Sequence, residues 1–221
     1  MRQSSLFASE EPGHIGTDES GKGDYFGPLC VAGVFLPDDQ HAVLAELGVK
    51  DSKRLTDKKA LNLATLIKKN YKHSIVAIGP ARYNELYAKL RNLNRLLAWA
   101  HARVIENMLG EVNCRLAITD QFGDKQFVIS ALMKRGKEIE LIQRTKAESD
   151  MAVAAASILA RAEFLQRLSA LSNEIAFDLP KGSSPPAEKA GRELVRKHGP
   201  AILDRVTKKH FKLTDRILQI S

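Results

Sequence analysis

Residues 16–29, GTDESGKGDYFGPL, set two acids side by side, Asp18 and Glu19, behind a short apolar lead-in. A lysine held between glycines, Gly21-Lys22-Gly23, follows at once, and then the aromatic pair Tyr25 and Phe26. Further acids stand in comparable places. Asp120 closes the apolar run CRLAITD, and Glu148 and Asp150 precede the small-residue run AVAAAS. Taken singly, an acid at a strand end is usually solvated, and an acid before a helix caps it or offsets its dipole. Three separate segments each delivering an acid to a strand end or helix start point to a shared centre. Gathered carboxylates repel and raise one another's pKa unless a cation sits among them. Hard oxygen donors suit Mg2+ or Mn2+, and two such ions are a general device for in-line phosphodiester cleavage.

The rest of the composition fits that chemistry. With 34 Lys and Arg against 26 Asp and Glu, the formal charge is +8, which favours a polyanionic partner such as nucleic acid. A basic surface would hold the substrate while the acids hold the metal. No Ser-His-Asp or Cys-His arrangement is suggested by chain order, and SGKGD lacks the spacing of a phosphate-binding Walker sequence. His101, in AWAHARV, reads as a packed or partly exposed helix histidine. His210, in KKHFK, joins cations to a ring that can stack; the plainer reading is a solvated tail with Phe211 anchored in the core. Cys30 and Cys114 sit in apolar strand-like runs and read as buried free thiols. Two cysteines build neither a disulfide scaffold nor a structural zinc site.

The elements that must position these residues follow from periodicity and turn signals. Residues 1–13 read as a mobile tail ending at Pro12-Gly13, and 14–221 as one catalytic domain with C-terminal helices. Strands are expected at 14–18, 27–37, 73–79, 114–120 and 138–144, the first two forming a hairpin. Helices are expected at 52–71, 81–90, 94–109, 125–135, 152–168, 187–198 and 200–207. PKGSSPP (180–186) reads as a loop and KKHFK (208–212) as a basic tail region. This is an α/β protein with three layers around one mixed sheet. Successive strand residues point to opposite faces, so Asp18 and Glu19 share a centre only where the strand ends or bends; Gly21 and Gly23 permit a bend. No apolar run is long enough to span a bilayer, and the polar, acid-containing N-terminus is no signal peptide. The expected location is the cytoplasm, with no membrane partner.

In order along the chain, these motifs resemble the type 2 ribonucleases H, and specifically ribonuclease HIII. GTDESGKGDYFGPL is similar to the family's first motif; the ribonuclease HII relatives typically carry arginine between the glycines. VKDSKRLT (49–56), NLNRLLAWAH (92–101), ITDQF (118–122), TKAESDMAVAAASILAR (145–161), LPKGSS and KKHFK agree in turn, so the resemblance covers about residues 14–214. It implies a ribonuclease H-like fold, a mixed central sheet flanked by helices with a C-terminal helical part. It implies a Mg2+- or Mn2+-dependent endonuclease that hydrolyses the RNA strand of RNA–DNA hybrids, leaving 5′-phosphate and 3′-hydroxyl ends.

Carried over by position, the metal-binding acids are Asp18, Glu19, Asp120 and Glu148, with Asp150 the alternative for the fourth. Gly21-Lys22-Gly23, with Ser20 beside it, is implied to meet ribose 2′-hydroxyls, the group that separates RNA from DNA. Lys22, Lys53, Lys146 and Arg161 are candidate phosphate contacts, or else solvated surface. Ser52 and Ser157 donate to phosphates or cap helices. Tyr25 is a candidate to stack on a sugar or base, while Phe26 packs under the loop. Ribonuclease HIII usually carries an N-terminal substrate-binding domain, and about a dozen residues precede the first strand here. The expectation is that such a domain is lacking, that binding rests on the catalytic domain, and that hybrids with several ribonucleotides are preferred. Cleavage at single embedded ribonucleotides, or a non-catalytic hybrid-binding module, are the alternatives.

Overall fold

The computed structural model describes residues 10–49, 52 and 55–219. Most of the expected N-terminal tail, and Lys53, lie outside the described residues. A five-stranded sheet has the order β3-β2-β1-β4-β5. Strand β1 (Gly13–Ser20) pairs antiparallel with β2 (Leu29–Pro37), from Gly13↔Pro37 to Ser20↔Cys30. Strand β3 (His73–Ile78) extends this side antiparallel to β2. On the other side β4 (Leu116–Asp120) and β5 (Glu140–Arg144) run parallel to β1. The expected hairpin and mixed sheet are both present.

Strand β2, flanked by β3 and β1, is buried from Leu29 to Leu36, because helices cover both faces of the sheet; this is why its sequence is apolar without alternation. On one face, Ile15, Leu29 and Val31 pack with helix α4 (Leu93–Met108). On the other, Ala32, Val34 and Leu36 pack with α6 (Met151–Glu174) and α2 (Asp57–Asn70). The small residues of α6 let it lie close to β1. A Cβ on Gly16 would stand 2.3 Å from the backbone carbon of Ala152 and the nitrogen of Val153, so only glycine fits there. Asp150 caps this helix, accepting from the N–H groups of Ala152 and Val153 at 3.0 and 3.1 Å.

A third core joins the far half of α6 to α7 (Pro185–His198), α8 (Ile202–Val206) and α9 (Lys212–Leu218), with Tyr25 and Phe26 at its centre. Helix α3 (Pro80–Leu90) flanks this region, and α5 (Lys125–Ala131) packs on α4. Several boundaries differ from expectation. Strand β1 continues through Ser20; α5 stops at Ala131; α6 runs on to Glu174. Helix α2 begins at Asp57, behind a Thr56 cap that accepts from the Lys59 N–H. Two short helices, α1 (His41–Glu46) and α9, carry too little periodic signal to be expected from pattern.

KKHFK is not a tail. Thr207 bridges Phe26 in antiparallel fashion, and the Lys208 N–H donates to the Tyr25 carbonyl at 2.9 Å. The Lys208 side chain is fully buried, and its ammonium donates to the carbonyls of Phe26, Gly27 and Pro28 at 3.3, 2.7 and 3.4 Å. His210 packs among Tyr83, Tyr87 and Phe211, where burial and then the Lys208 charge push its imidazole down to about 4. The segment is a strap across the loop between β1 and β2. No helix among the described residues is long and apolar enough to cross a membrane.

Candidate active site

The ladder between β1 and β4 ends at Thr17↔Thr119. Just past that pair stand Asp18, Glu19 and Asp120. The two adjacent acids do not need a strand end: both remain in register with β2, Asp18 opposite Ala32 and Glu19 opposite Val31. What ends is the pairing on the other side. Between two parallel strands whose ladder has stopped, side chains from both faces of β1 reach one crevice. This is also where the strand order reverses, the place at which open α/β sheets bind ligands.

A cavity of about 580 Å³ lies there, lined by Asp18, Glu19, Asp120 and Glu148. Its lining also includes Ser20, Gly21, Lys22, Gly23 and Asp24, with Ser52, Arg161 and Lys181. No three of the four carboxylates bring oxygens within 4.8 Å of one another; like charges facing across a cavity repel. A larger hollow of about 860 Å³ lies along α7, but its Glu188 is already paired with Arg192 and Arg216, and it gathers no comparable set of acids.

Each acid has its own support. Asp18 Oδ1 accepts from the Glu19 N–H at 2.8 Å. Asp120 Oδ1 accepts from the Ala147 N–H at 3.1 Å, tying the end of β4 to the 3₁₀ turn Ala147–Ser149 that carries Glu148. Lys146 precedes that turn at φ 55°. Glu19 is held by His101 of α4, whose Nε2 lies 3.3 Å from Oε2, and by Lys22, whose Nζ lies 3.5 Å from Oε1. Burial pushes the Glu19 carboxyl up, but His101 and Lys22 outweigh it and hold it below the usual carboxylate range. An ionised carboxylate can only accept, so Nε2 carries the proton. His101 is itself fixed, with Nδ1 2.8 Å from the Thr17 hydroxyl and its ring stacked 4.9 Å from Phe122.

Glu148 and Asp150 part company here. Asp150 is spent on the α6 cap, on His14 at 3.0 Å and on Arg144 at 3.6 Å. Burial raises its carboxyl, and His14 with the two cap N–H groups more than reverses this. Glu148 lines the cavity instead.

Some expected contacts are corrected. Tyr25 is fully buried, its hydroxyl 3.1 Å from Thr214 Oγ1 and its ring edge-on to Phe26 and Phe211; it stacks on core residues rather than on a sugar or base. Ser157 is buried and donates to the Ala154 carbonyl at 2.9 Å within α6, so it faces no phosphate. Lys146 is exposed outside the cavity lining. Phe26 packs under the loop as expected, and both cysteines are free and buried.

Arg161 and Lys181 line the cavity, but both pair with Asp57, and Arg161 also donates to the Ser52 carbonyl. Lys181 and the Phe122 that lies 6.0 Å from the Lys22 ammonium were not singled out from sequence; His101 was read as a packed or partly exposed helix histidine, and it is buried, but its hold on Glu19 was not foreseen. Asp24 was also missed; it accepts from the Gly182 N–H at 2.6 Å, while Tyr25 N–H donates to the Gly182 carbonyl, joining the glycine loop to the 180–186 loop.

The family model described as ribonuclease HII matches residues 15–214. A ribonuclease HIII of Protochlamydia amoebophila (strain UWE25) is 52% identical over 205 residues, 93% of this chain and 68% of its own length. One from Chlamydia pneumoniae is 44% identical over 209 residues, 92% of this chain and 69% of its own. The crystal structure of Bst-RNase HIII in complex with Mn2+ superposes with a TM-score of 0.87 at 29% identity, over 99% of this chain and 74% of that one. The ribonuclease H2 of Pyrococcus horikoshii OT3, at 20% identity and TM-score 0.80, shares the fold.

Proposed function

The chain belongs to the ribonuclease HII family and, within it, to the ribonuclease HIII group, and on that premise we propose that it cuts the RNA strand of RNA–DNA hybrids at the four-acid cavity. The observation that carries this is that three separate segments deliver Asp18, Glu19, Asp120 and Glu148 to one cavity with the glycine loop in its lining.

The donor set fits hard divalent ions. All four ligand candidates are carboxylates, and of the cations in the lining Arg161 and Lys181 are engaged by Asp57, leaving Lys22 beside Glu19. Asp18, Glu19, Asp120 and Glu148 would hold Mg2+ or Mn2+, which would supply Lewis acidity for hydrolysis of the phosphodiester to 5′-phosphate and 3′-hydroxyl ends. The chain's own residues do the rest. His101 fixes the rotamer of Glu19, and Asp120 and Glu148 are held in mutual register through the Ala147 N–H. The Gly21-Lys22-Gly23 backbone, free of side chains at its flanks, approaches the ribose closely enough to meet its 2′-hydroxyl. Lys22, on the cavity lining, is the cation placed to meet a phosphate.

The test is Asp18→Asn assayed on a labelled RNA–DNA hybrid, a duplex with one embedded ribonucleotide and duplex DNA, in Mg2+ and in Mn2+. Cleavage of the hybrid by the unaltered protein should fall by at least ~10³-fold in the variant, in line with loss of a group central to transition-state charge, while hybrid binding persists. A variant that cuts at full rate with metal still required removes Asp18 from this role; cleavage of duplex DNA in preference to hybrid removes the substrate reading.

A further inference from the structure

At the opposite end of β1 from the acid cavity, His14, Asp38 and His41 bring one ligand atom each to within 4.8 Å of one another. The fold makes this meeting. Gly13 pairs with Pro37, so Asp38, just past the end of β2, lies beside the start of β1, and His41 opens α1 three residues later. The two imidazole centroids are 5.7 Å apart. We propose that these three side chains form a binding site for one divalent transition-metal ion of the zinc class.

The chemistry of the set selects that class. Two imidazoles and one carboxylate suit zinc, nickel or copper, whereas magnesium and calcium favour oxygen donors. The histidine that matters most is pre-oriented. His14 is 6% exposed, and its Nε2 lies 3.0 Å from both oxygens of Asp150. A carboxylate accepts, so Nε2 carries the proton and the Nδ1 lone pair is the one on offer. A metal-binding histidine typically has this carboxylate partner on its far nitrogen. Asp150 is held in turn by the Ala152 and Val153 N–H groups and faces Arg144 at 3.6 Å. Asp38 is exposed and His41 half-buried, which leaves a fourth position open to water, as in three-ligand zinc sites.

This site is separate from the cutting centre. His14 and Asp18 are four positions apart on one strand, about 13 Å. An ion at His14 would tie the start of β1 and the turn after β2, already paired at Gly13↔Pro37, to the first residue of α1.

The experiment titrates Zn2+ against a chromophoric chelator, and records the Co2+ visible spectrum, for the full chain, for Asp18→Asn, and for His41→Ala and Asp38→Ala. The full chain and Asp18→Asn should take up one Zn2+ equally, with imidazole-type Co2+ bands. His41→Ala and Asp38→Ala should each weaken uptake at least ~10-fold and lose those bands, with cleavage in Mg2+ unchanged. Asp38, being exposed, provides a variant that keeps the fold, checked by circular dichroism. No uptake by the full chain, uptake lost in Asp18→Asn, or uptake unchanged in both Asp38→Ala and His41→Ala overturns the proposal.

Discussion

Lys208→Met tests the strap. The ammonium has three N–H groups and meets three carbonyls, those of Phe26, Gly27 and Pro28. Burial pushes it down from 10.5 to about 7, with Asp24 pulling the other way. The unfolded chain keeps the ordinary lysine value. Below pH 7 both states carry the proton, and this residue gives stability no slope with pH. Between pH 7 and the unfolded value the unfolded state binds the proton and the native state releases it. Stability therefore rises with pH, by up to ~1.4 kcal/mol per pH unit. Methionine, of similar length, has nothing to titrate. The stability difference between the unaltered protein and the variant should hence grow by about 2–3 kcal/mol from pH 7 to pH 9, other titrations cancelling in the subtraction. Urea unfolding at pH 6, 7, 8 and 9 measures it. A difference that stays flat over that range would refute the reasoning, and would mean that the three carbonyls keep the proton on against the pull of burial.

His101→Ala removes the group that orients Glu19, so kcat on the hybrid should fall ~10–100-fold and half-activation should need more metal; unchanged metal dependence would reduce His101 to a packing role. Gly16→Ala drives a methyl group into the backbone of α6 at Ala152 and Val153. It should lower stability by at least ~1–3 kcal/mol, seen as a lower urea midpoint, and should slow cleavage because the turn bearing Glu148 joins that helix; a variant of full stability would contradict the close approach.

The strands were readable as apolar runs bounded by turn residues, and α6 from its small residues. Helices α1 and α9 were not, because six or seven residues cannot sustain a helix alone; Leu44, Leu213 and Ile217, buried against distant segments, hold them. The positions of Asp18, Glu19, Asp120 and Glu148 at strand ends and a helix start were visible in one dimension. The residues alone did not choose between Glu148 and Asp150, since either acid before α6 could cap it; the family resemblance favoured Glu148, and in the structure Asp150 is the one that accepts the cap N–H groups. Tyr25 looked exposed because it follows a glycine loop; its cover arrives from Thr214, nearly two hundred positions later. Cations in KKHFK suggested solvent, and Lys208 defies that because three carbonyls surround it. His101 was legible as a packed helix histidine, since Leu97 and Ile105, one helical turn to either side, are both buried; its bond to Glu19, 82 positions away, was not.

The strap has a consequence for biosynthesis. The turn carrying Gly27 is made early, and the lysine that clamps it is 181 residues further along. Until the ribosome has passed that codon, the nascent enzyme has no donor to close the turn and no cover for Tyr25. The loop between β1 and β2 therefore gains this clamp only late in translation.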